Sequence, residues 1–459
     1  AILKKRNQVE RAGARQIGEE AQVPFLPVDF ATVAAQVEAY VPKSLADAHI
    51  AAKRLRELET SQEARRARLV ADAWCSAFVV PKVANGPTLT QSELRAIAAG
   101  KGSPDVVQMV EAVSAQYRWF HWHLEFPTVF AVEGSSAEPA PASGFDCVIG
   151  NPPWDQIQLN PQEFFAPRYP AIAEEPNTAA RDKAIRRLQD DHPTLYVEYT
   201  QAKRQVDGFK HFIHQSGRYP FTAFGRLNSY SLFAEHFRAI LHPVGRAGVI
   251  LPTGIATDSF NQYFFKDVVT SRSLVALYDF ENRDKLFETV DSRVKFCLLT
   301  LGGIEAPVKE ADFAFFAHET ADLDRPGARF VLTPEELLLL NPNTGTCPIF
   351  RGRRDAEISL AAYRRHPVLL KKGDATDNPW DVSFQLMFMM NTDSHLFHTR
   401  AELEADGWKL SSNRFQRAGQ NMLPLYEGKM VHHYDHRWAT YEDDGTIRDV
   451  APTEHDSPV

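Results

Sequence analysis

The stretch Gly144-Phe145-Asp146-Cys147-Val148-Ile149-Gly150-Asn151-Pro152-Pro153-Trp154 constrains this chain more than any other. Phe145 to Ile149 has the length and apolar character of a short buried strand, and Gly150 marks its end. The polar and aromatic group that follows is thereby presented at the carboxyl end of a sheet strand, where open α/β sheets bind ligands. Pro152 pushes Asn151 out of the helical region, and two successive fixed φ angles remove two N–H donors while leaving the carbonyls free. The corner is rigid and rich in acceptors.

The Asn151 side-chain oxygen and the Pro152 carbonyl can together accept both hydrogens of one planar amino group, and Trp154 offers a face to the ring that carries it. That suits the exocyclic amine of a nucleobase, whose lone pair is delocalised into the ring. Two acceptors that favour a tetrahedral nitrogen free the lone pair for in-line attack on a methyl sulfonium, an electrostatic preorganisation effect. The plain alternative is a proline-rich turn after a strand. With Pro at about 5% of residues, chance rarely puts Asn-Pro-Pro-aromatic at a strand end, which favours the functional reading.

At 459 residues the chain is long enough for two to three domains with ample core. Its formal net charge of -8 excludes a wholly basic nucleic-acid binder, so any DNA contact must come from local patches. Cys75, Cys147, Cys297 and Cys347 are widely spaced and form no metal or disulfide pattern. No signal peptide or long apolar run is evident, and the expected location is the cytoplasm. The chain opens at Ala1 without Met and is expected to be a fragment.

Residues 1 to about 85 read as helical, with Leu55, Leu58, Leu69, Val70 and Trp74 on an amphipathic pattern. The basic run Arg65, Arg66 and Arg68 is a solvated helix face or a DNA-backbone contact. Asn85-Gly86-Pro87 breaks the pattern, and a second helical stretch reaches about Arg118. The aromatic run Phe120 to Pro127 contains His121 and His123, which without a third close ligand read as packing rather than a metal site. Gly134 to Ser143 reads as a linker. After Trp154 a polar insertion runs to about residue 220 with helices near Ala180–Leu188 and Tyr196–Asp207. Ser231–Leu241 is then an amphipathic helix ended by His242-Pro243, Ala247–Leu251 a strand, Phe260–Val269 a helix, and Leu274–Phe280 and Val294–Leu301 strands. This order predicts a mainly parallel sheet closed by a hairpin, with Phe287 in the hairpin loop Glu281 to Arg293. After Gly303 short strands and turns dominate. Arg351 to Lys372 contains seven Lys or Arg, among them Arg351, Arg353, Arg354, Arg364 and Arg365, against two carboxylates, a net +5. It is the best candidate for phosphate contacts, with a solvated face as the alternative.

The run from Phe120 to Trp154 resembles the gamma class of adenine-specific DNA methyltransferases. Within these it is similar to the large single-chain proteins of type IIG restriction-modification and related phage-defence systems. The resemblance continues through Asn228–Glu235, Gly245–Gly254 and Phe280–Arg283 to Leu423–Met430. It implies an α/β fold: the C-terminal half of a Rossmann-like S-adenosylmethionine-dependent methyltransferase sheet, with a helical region over 1–118, a catalytic half over 119–303 carrying an insertion at 155–220, and an α+β target-recognition region over 304–459. It implies methyl transfer from S-adenosyl-L-methionine to a flipped adenine in double-stranded DNA, with restriction or defence-system subunits as further partners and no membrane. Asn151, Pro152 and Pro153 would hold the amino group and Trp154 would stack on the base. Phe287, or less well Phe280, would clamp its other face. Phe233 lies on a helix that in the family borders the cofactor pocket, although a core role fits it equally.

One departure is large. The family's cofactor motif, an acidic or aromatic residue before a Gly-rich turn, should precede Asn151, and only Gly100-Lys101-Gly102-Ser103 offers such a turn, after a helix rather than a strand. The main cofactor site is therefore expected outside this chain, with the reading frame continuing upstream of Ala1. Alternatives are a methyltransferase of RNA or protein glutamine, and a non-enzymatic DNA-binding subunit with an incomplete site.

Overall fold

The computed structural model describes residues 37, 40–82, 86–130, 143–366, 368–373, 378, 381–386, 388–411, 414–425, 427–442 and 446–454. Most of the expected helix before residue 40 and the linker up to residue 142 lie outside these. The helical region begins with α1 (Leu45–Glu59) and α2 (Gln62–Val79), each started by a serine whose hydroxyl accepts an amide of the first turn, Asp47 N–H on Ser44 and Ala64 N–H on Ser61. α3 (Gln91–Ala98) and α4 (Pro104–Tyr117) follow, so the Gly100–Ser103 turn joins two helices. The inserted segment is helical over α5 (Thr178–Asp191) and α6 (Pro193–Gln215), both longer than expected. α6 and α7 (Ser229–Ala239) pack the helical region against the sheet domain through Cys75, Val79, Phe212, Ile213 and Leu232.

Six strands form one sheet: β1 (Phe145–Gly150), β2 (Leu241–Pro252), β3 (Leu274–Glu281), β4 (Lys295–Gly302), β5 (Ala311–Ala317) and β6 (Phe330–Leu332), in the order β1-β2-β4-β3-β5-β6. The expected mainly parallel sheet is corrected to a mixed one. Only β1/β2 and β3/β5 are parallel, whereas β4 runs antiparallel to both β2 and β3. The hairpin's second strand enters the middle of the sheet, where its nearly continuous apolar run, with Cys297, Leu299 and Leu301 buried, is covered on both edges. A hairpin pattern in sequence does not say on which side of β3 the return strand lies.

Two further boundaries move. α7 stops at Ala239 and β2 starts at Leu241, with Pro243 inside the strand. There the pairing jumps from Phe145↔Leu241 to Cys147↔Arg246, an irregularity that spares Pro243 a ladder bond. The sheet also runs past Gly303, because β5 pairs with β3 and buries Phe313 in the common core.

One face of the sheet is covered by α8 (Gln262–Thr270), α9 (Pro334–Leu340) and α10 (Arg353–Arg365), whose Phe264, Phe265, Val268, Leu337 and Leu360 meet Val249, Leu251, Leu277 and Leu299. Compact units span 1–375 and 376–459, so α10 and its arginines belong with the sheet. The second unit holds a three-stranded meander (Lys409–Ser411, Arg414–Arg417, Gln420–Met422) and a two-stranded pair (Ala439–Tyr441, Ile447–Asp449). Among the described residues no helix is long and apolar enough to cross a membrane.

Candidate active site

β1 reaches its place through Gly144, whose φ of +130° suits glycine and where a Cβ would lie 2.5 Å from the His242 amide nitrogen. The strand ends at Gly150 beneath the Phe237 ring of α7, which a Cβ would meet at 3.0 Å. Asn151 follows, exposed at the carboxyl end of the strand, with Pro152 buried, Pro153 exposed and Trp154 half-buried. Ser229, the first residue of α7, fastens this corner: its hydroxyl donates to the Pro153 carbonyl (2.6 Å) and accepts the Asp155 N–H (2.9 Å). The Ser229 N–H donates to the Asp155 carbonyl at 2.9 Å, and the Ile157 N–H to the Leu227 carbonyl at 3.0 Å. Ser229 has no role in the sequence reading above; its signal was the Asn-Ser helix start directly before α7.

Trp154 and Phe287, expected to face one another across a base, pack against one cluster made of Phe280, Phe296 and Ala317. Phe287 meets Phe296 edge-on at 5.0 Å, and Phe296 stacks on Phe280 at 5.3 Å. Phe280 is buried in that floor, which removes it as the weaker stacking candidate: its ring is covered by protein. The Trp154 indole nitrogen is buried without a hydrogen-bond partner among the described residues.

The carboxyl end of β3 is unusually polar for a buried strand. Asp279 accepts the Thr253 hydroxyl and the Phe316 N–H, joining the ends of β2, β3 and β5, and burial pushes its carboxyl pKa up against those bonds. Glu281 is gripped by Lys295 (2.8 Å) and Arg283 (2.6 Å), and the Lys295 bond pulls its pKa down. Phe316 has a left-handed φ of 60° inside a strand, with Arg351 and Lys295 at 4.8 and 5.2 Å from its ring centre. A 590 Å³ cleft opens here, lined by Glu281, Arg283, Phe316, His318 and Arg351 among others.

Residues 93–216 match the Eco57I restriction-modification methylase family. That segment contains the whole Asn151–Trp154 corner and β1. No curated protein matches the chain. Among solved structures, the chain is similar at 13% identity to a DrdV–DNA complex (40% of this chain, 16% of that one, TM-score 0.22). It is similar at 13% identity to the type IIG restriction endonuclease BpuSI (66% and 32%, TM-score 0.24) and to a type I restriction-modification system (72% and 70%, TM-score 0.24). The chain thus spans well under half the length of the first two. Likenesses this loose carry no argument about fold or activity.

The methylase match implies S-adenosylmethionine, and the described residues do not fit it. Among them no Gly-rich turn follows a strand before Asn151, and the Gly302-Gly303 turn after β4 is filled by the Pro243 and His242 carbonyls, which a Cβ on Gly303 would meet at 2.1 and 2.4 Å. The Thr253-Gly254 turn after β2 is closed by Asp258, whose carboxylate a Cβ on Gly254 would meet at 2.4 Å. Glu281, the carboxylate at the end of β3, is already held by two cations. Beside the corner the sheet is open: β1 pairs only with β2 among the described residues and its Ile149 is 82% exposed, so the buried strand expected over Phe145–Ile149 is corrected to an exposed edge strand, whose apolar residues lack a covering element there. Phe233 lies on α7, 38% exposed and edge-on to Phe237 at 5.7 Å, so a core role is corrected; Leu232 takes that place because it faces α6.

The remaining candidates are scattered. Arg353 and Arg354 reach Glu357 (3.2 and 3.9 Å), Arg364 reaches Glu336 (3.2 Å), Arg365 is exposed, and Arg351 covers Phe316. His121 bonds Asp72 at 2.7 Å, and the Ser114 hydroxyl donates to the other Asp72 oxygen at 2.8 Å. Burial pushes the His123 and His236 pKa values down to about 4.

Proposed function

We propose that this chain carries the target-base half of a restriction-modification DNA methyltransferase that modifies the exocyclic amine of a flipped adenine. The observation that carries the reading is the Asn151-Pro152-Pro153-Trp154 corner at the end of β1, exposed at Asn151 and braced by Ser229. Asn151 and the Pro152 carbonyl accept the two amino hydrogens, which holds the nitrogen lone pair towards the methyl donor. Trp154 and Phe287 flank the base above the Phe280–Phe296 floor and return part of the cost of extruding it from the duplex, a few kcal/mol. S-adenosylmethionine supplies the methyl group when bound. The element that would hold it is inferred to add to the open edge of β1, where Ile149 is exposed. Arg351, Arg353, Arg354, Arg364 and Arg365 contact phosphates of double-stranded DNA, their surface ion pairs being weak enough to exchange.

A second reading, a DNA-binding subunit without its own chemistry, draws on the poor fit to the cofactor. One experiment separates the two. The gene carrying this chain, in its natural operon, is expressed in a host without DNA methylation, and the genome is read by single-molecule sequencing. The expected result is N6-methyladenine at one sequence motif, lost in Asn151→Ala, whose rate should fall about a hundredfold or more for the roughly 3 kcal/mol an oriented acceptor contributes. No modified motif, or one that survives Asn151→Ala, refutes the reading.

A further inference from the structure

Asn282, the residue directly after β3, is wholly buried, and its side-chain amide is spent on the backbone of the loop that carries Phe287. One amide hydrogen is donated to the Phe287 carbonyl and the other to the Val290 carbonyl, both at 3.0 Å, while the amide oxygen accepts the Phe287 N–H at 3.0 Å. The Asn282 N–H meanwhile donates to the Val294 carbonyl at 3.1 Å, so both ends of the loop close on one residue. Both donors and an acceptor are used in a single orientation, which only an uncharged primary amide supplies. Lys285, in the left-handed region at φ 57°, caps the turn and reaches the Val290 carbonyl with Nζ at 2.9 Å.

We propose that Asn282 is a positioning residue: it fixes the Phe287 backbone so that the ring stands over the Phe280–Phe296 floor before any base arrives. The inference rests on the reading of Phe287 as a base clamp. A long loop between β3 and β4 would otherwise sample many conformations, and an aromatic clamp that must be ordered on binding loses part of what stacking returns. Thirteen residues separate β3 from β4, and those nearest Phe287 are the ones Asn282 holds. Asp279 and Glu281, three and one positions back along β3, tie the neighbouring strand ends and give Asn282 a rigid base.

The test uses Asn282→Ala, Asn282→Asp, Phe287→Ala and the Asn282→Ala/Phe287→Ala double variant. In the 459-residue chain, tryptic cleavage after Lys285 and Arg293 should accelerate tenfold or more in both Asn282 variants, while the rest of the chain keeps its proteolytic pattern. Asp should be as damaging as Ala, because it puts an oxygen against two carbonyls. In the operon assay, Asn282→Ala should slow methylation about as much as Phe287→Ala, and the double variant should be no slower than Phe287→Ala alone. A double variant whose defect is the product of the two single defects overturns positioning through Phe287, as does unchanged cleavage or an Asp variant that behaves as wild type. Accelerated cleavage together with a harmless Phe287→Ala instead overturns the base-clamp reading while leaving the hold of Asn282 on the loop intact.

Discussion

Ser229→Ala removes a single oxygen and tests how far the candidate corner depends on α7. The hydroxyl donates to the Pro153 carbonyl at 2.6 Å, with the Asp155 carbonyl a second, longer acceptor at 3.1 Å for the same hydrogen, and accepts the Asp155 N–H at 2.9 Å. At about 0.5–1.5 kcal/mol net for each, the two hold the corner by about 1–3 kcal/mol. Ser229 is only half-buried and water replaces part of what is lost, which favours the lower end. The α7 start survives, because Asn228 caps it through the Tyr230 N–H. Global stability should therefore fall by about 1–2 kcal/mol, read as a lower urea midpoint in the 459-residue chain. If that free energy keeps Asn151 aligned, methylation should slow by roughly tenfold, since about 1.4 kcal/mol is one decade in rate. Ser229→Thr restores the hydroxyl and should recover most of both. A Ser229→Ala protein with wild-type methylation, or a folded Ser229→Thr protein as slow as Ser229→Ala, would refute the idea that this bond pair aligns the corner.

His123 and His236 predict an acid-sensitive fold. Both are held near pKa 4 by burial, against about 6.5 in an unfolded chain. Between those values the unfolded chain binds more protons than the folded one, so their contribution is fully present above about pH 6.5 and is lost as the pH falls towards 4. Urea midpoints measured across that window should drop, and His236→Phe should flatten the drop; parallel curves for variant and wild type would show that His236 does not titrate in this way. Ile149→Lys, at an edge position that is 82% exposed, should change the stability of this chain by less than about 0.5 kcal/mol yet abolish methylation by blocking strand addition to β1. Normal methylation by that variant would exclude the β1 edge as the cofactor-side joint.

The local conformation of the corner was legible in the sequence because it rests on short-range rules. Two prolines after a glycine-ended apolar strand fix an acceptor-rich corner wherever the strand goes, and the β3–β4 hairpin could be read because its strands are close in the chain and strongly apolar. The helices described between residues 40 and 303 were found for the same reason, with boundaries displaced where Pro243 enters a strand beside a register jump, whereas α9 and α10 correct the reading of short strands and turns after Gly303. What the sequence could not supply depends on which distant segments meet. That β4 inserts between β2 and β3, and that β5 and β6 extend the sheet past Gly303, follows from competition among apolar strands for a central place, which periodicity does not encode. Nor do residues announce their partners. Phe280 and Phe287 look alike in sequence, yet one is floor and the other rests on it; Phe233 and Leu232 are neighbours, yet only Leu232 turns into the core. Ser229 and Asn282 are polar residues at element ends, where capping is the ordinary role. Only the tertiary structure directs the Ser229 hydroxyl onto the Pro153 carbonyl, 76 residues away, and closes a largely exposed loop around the buried Asn282 amide, because a hydrogen bond is decided by where two groups come to lie once the core has packed.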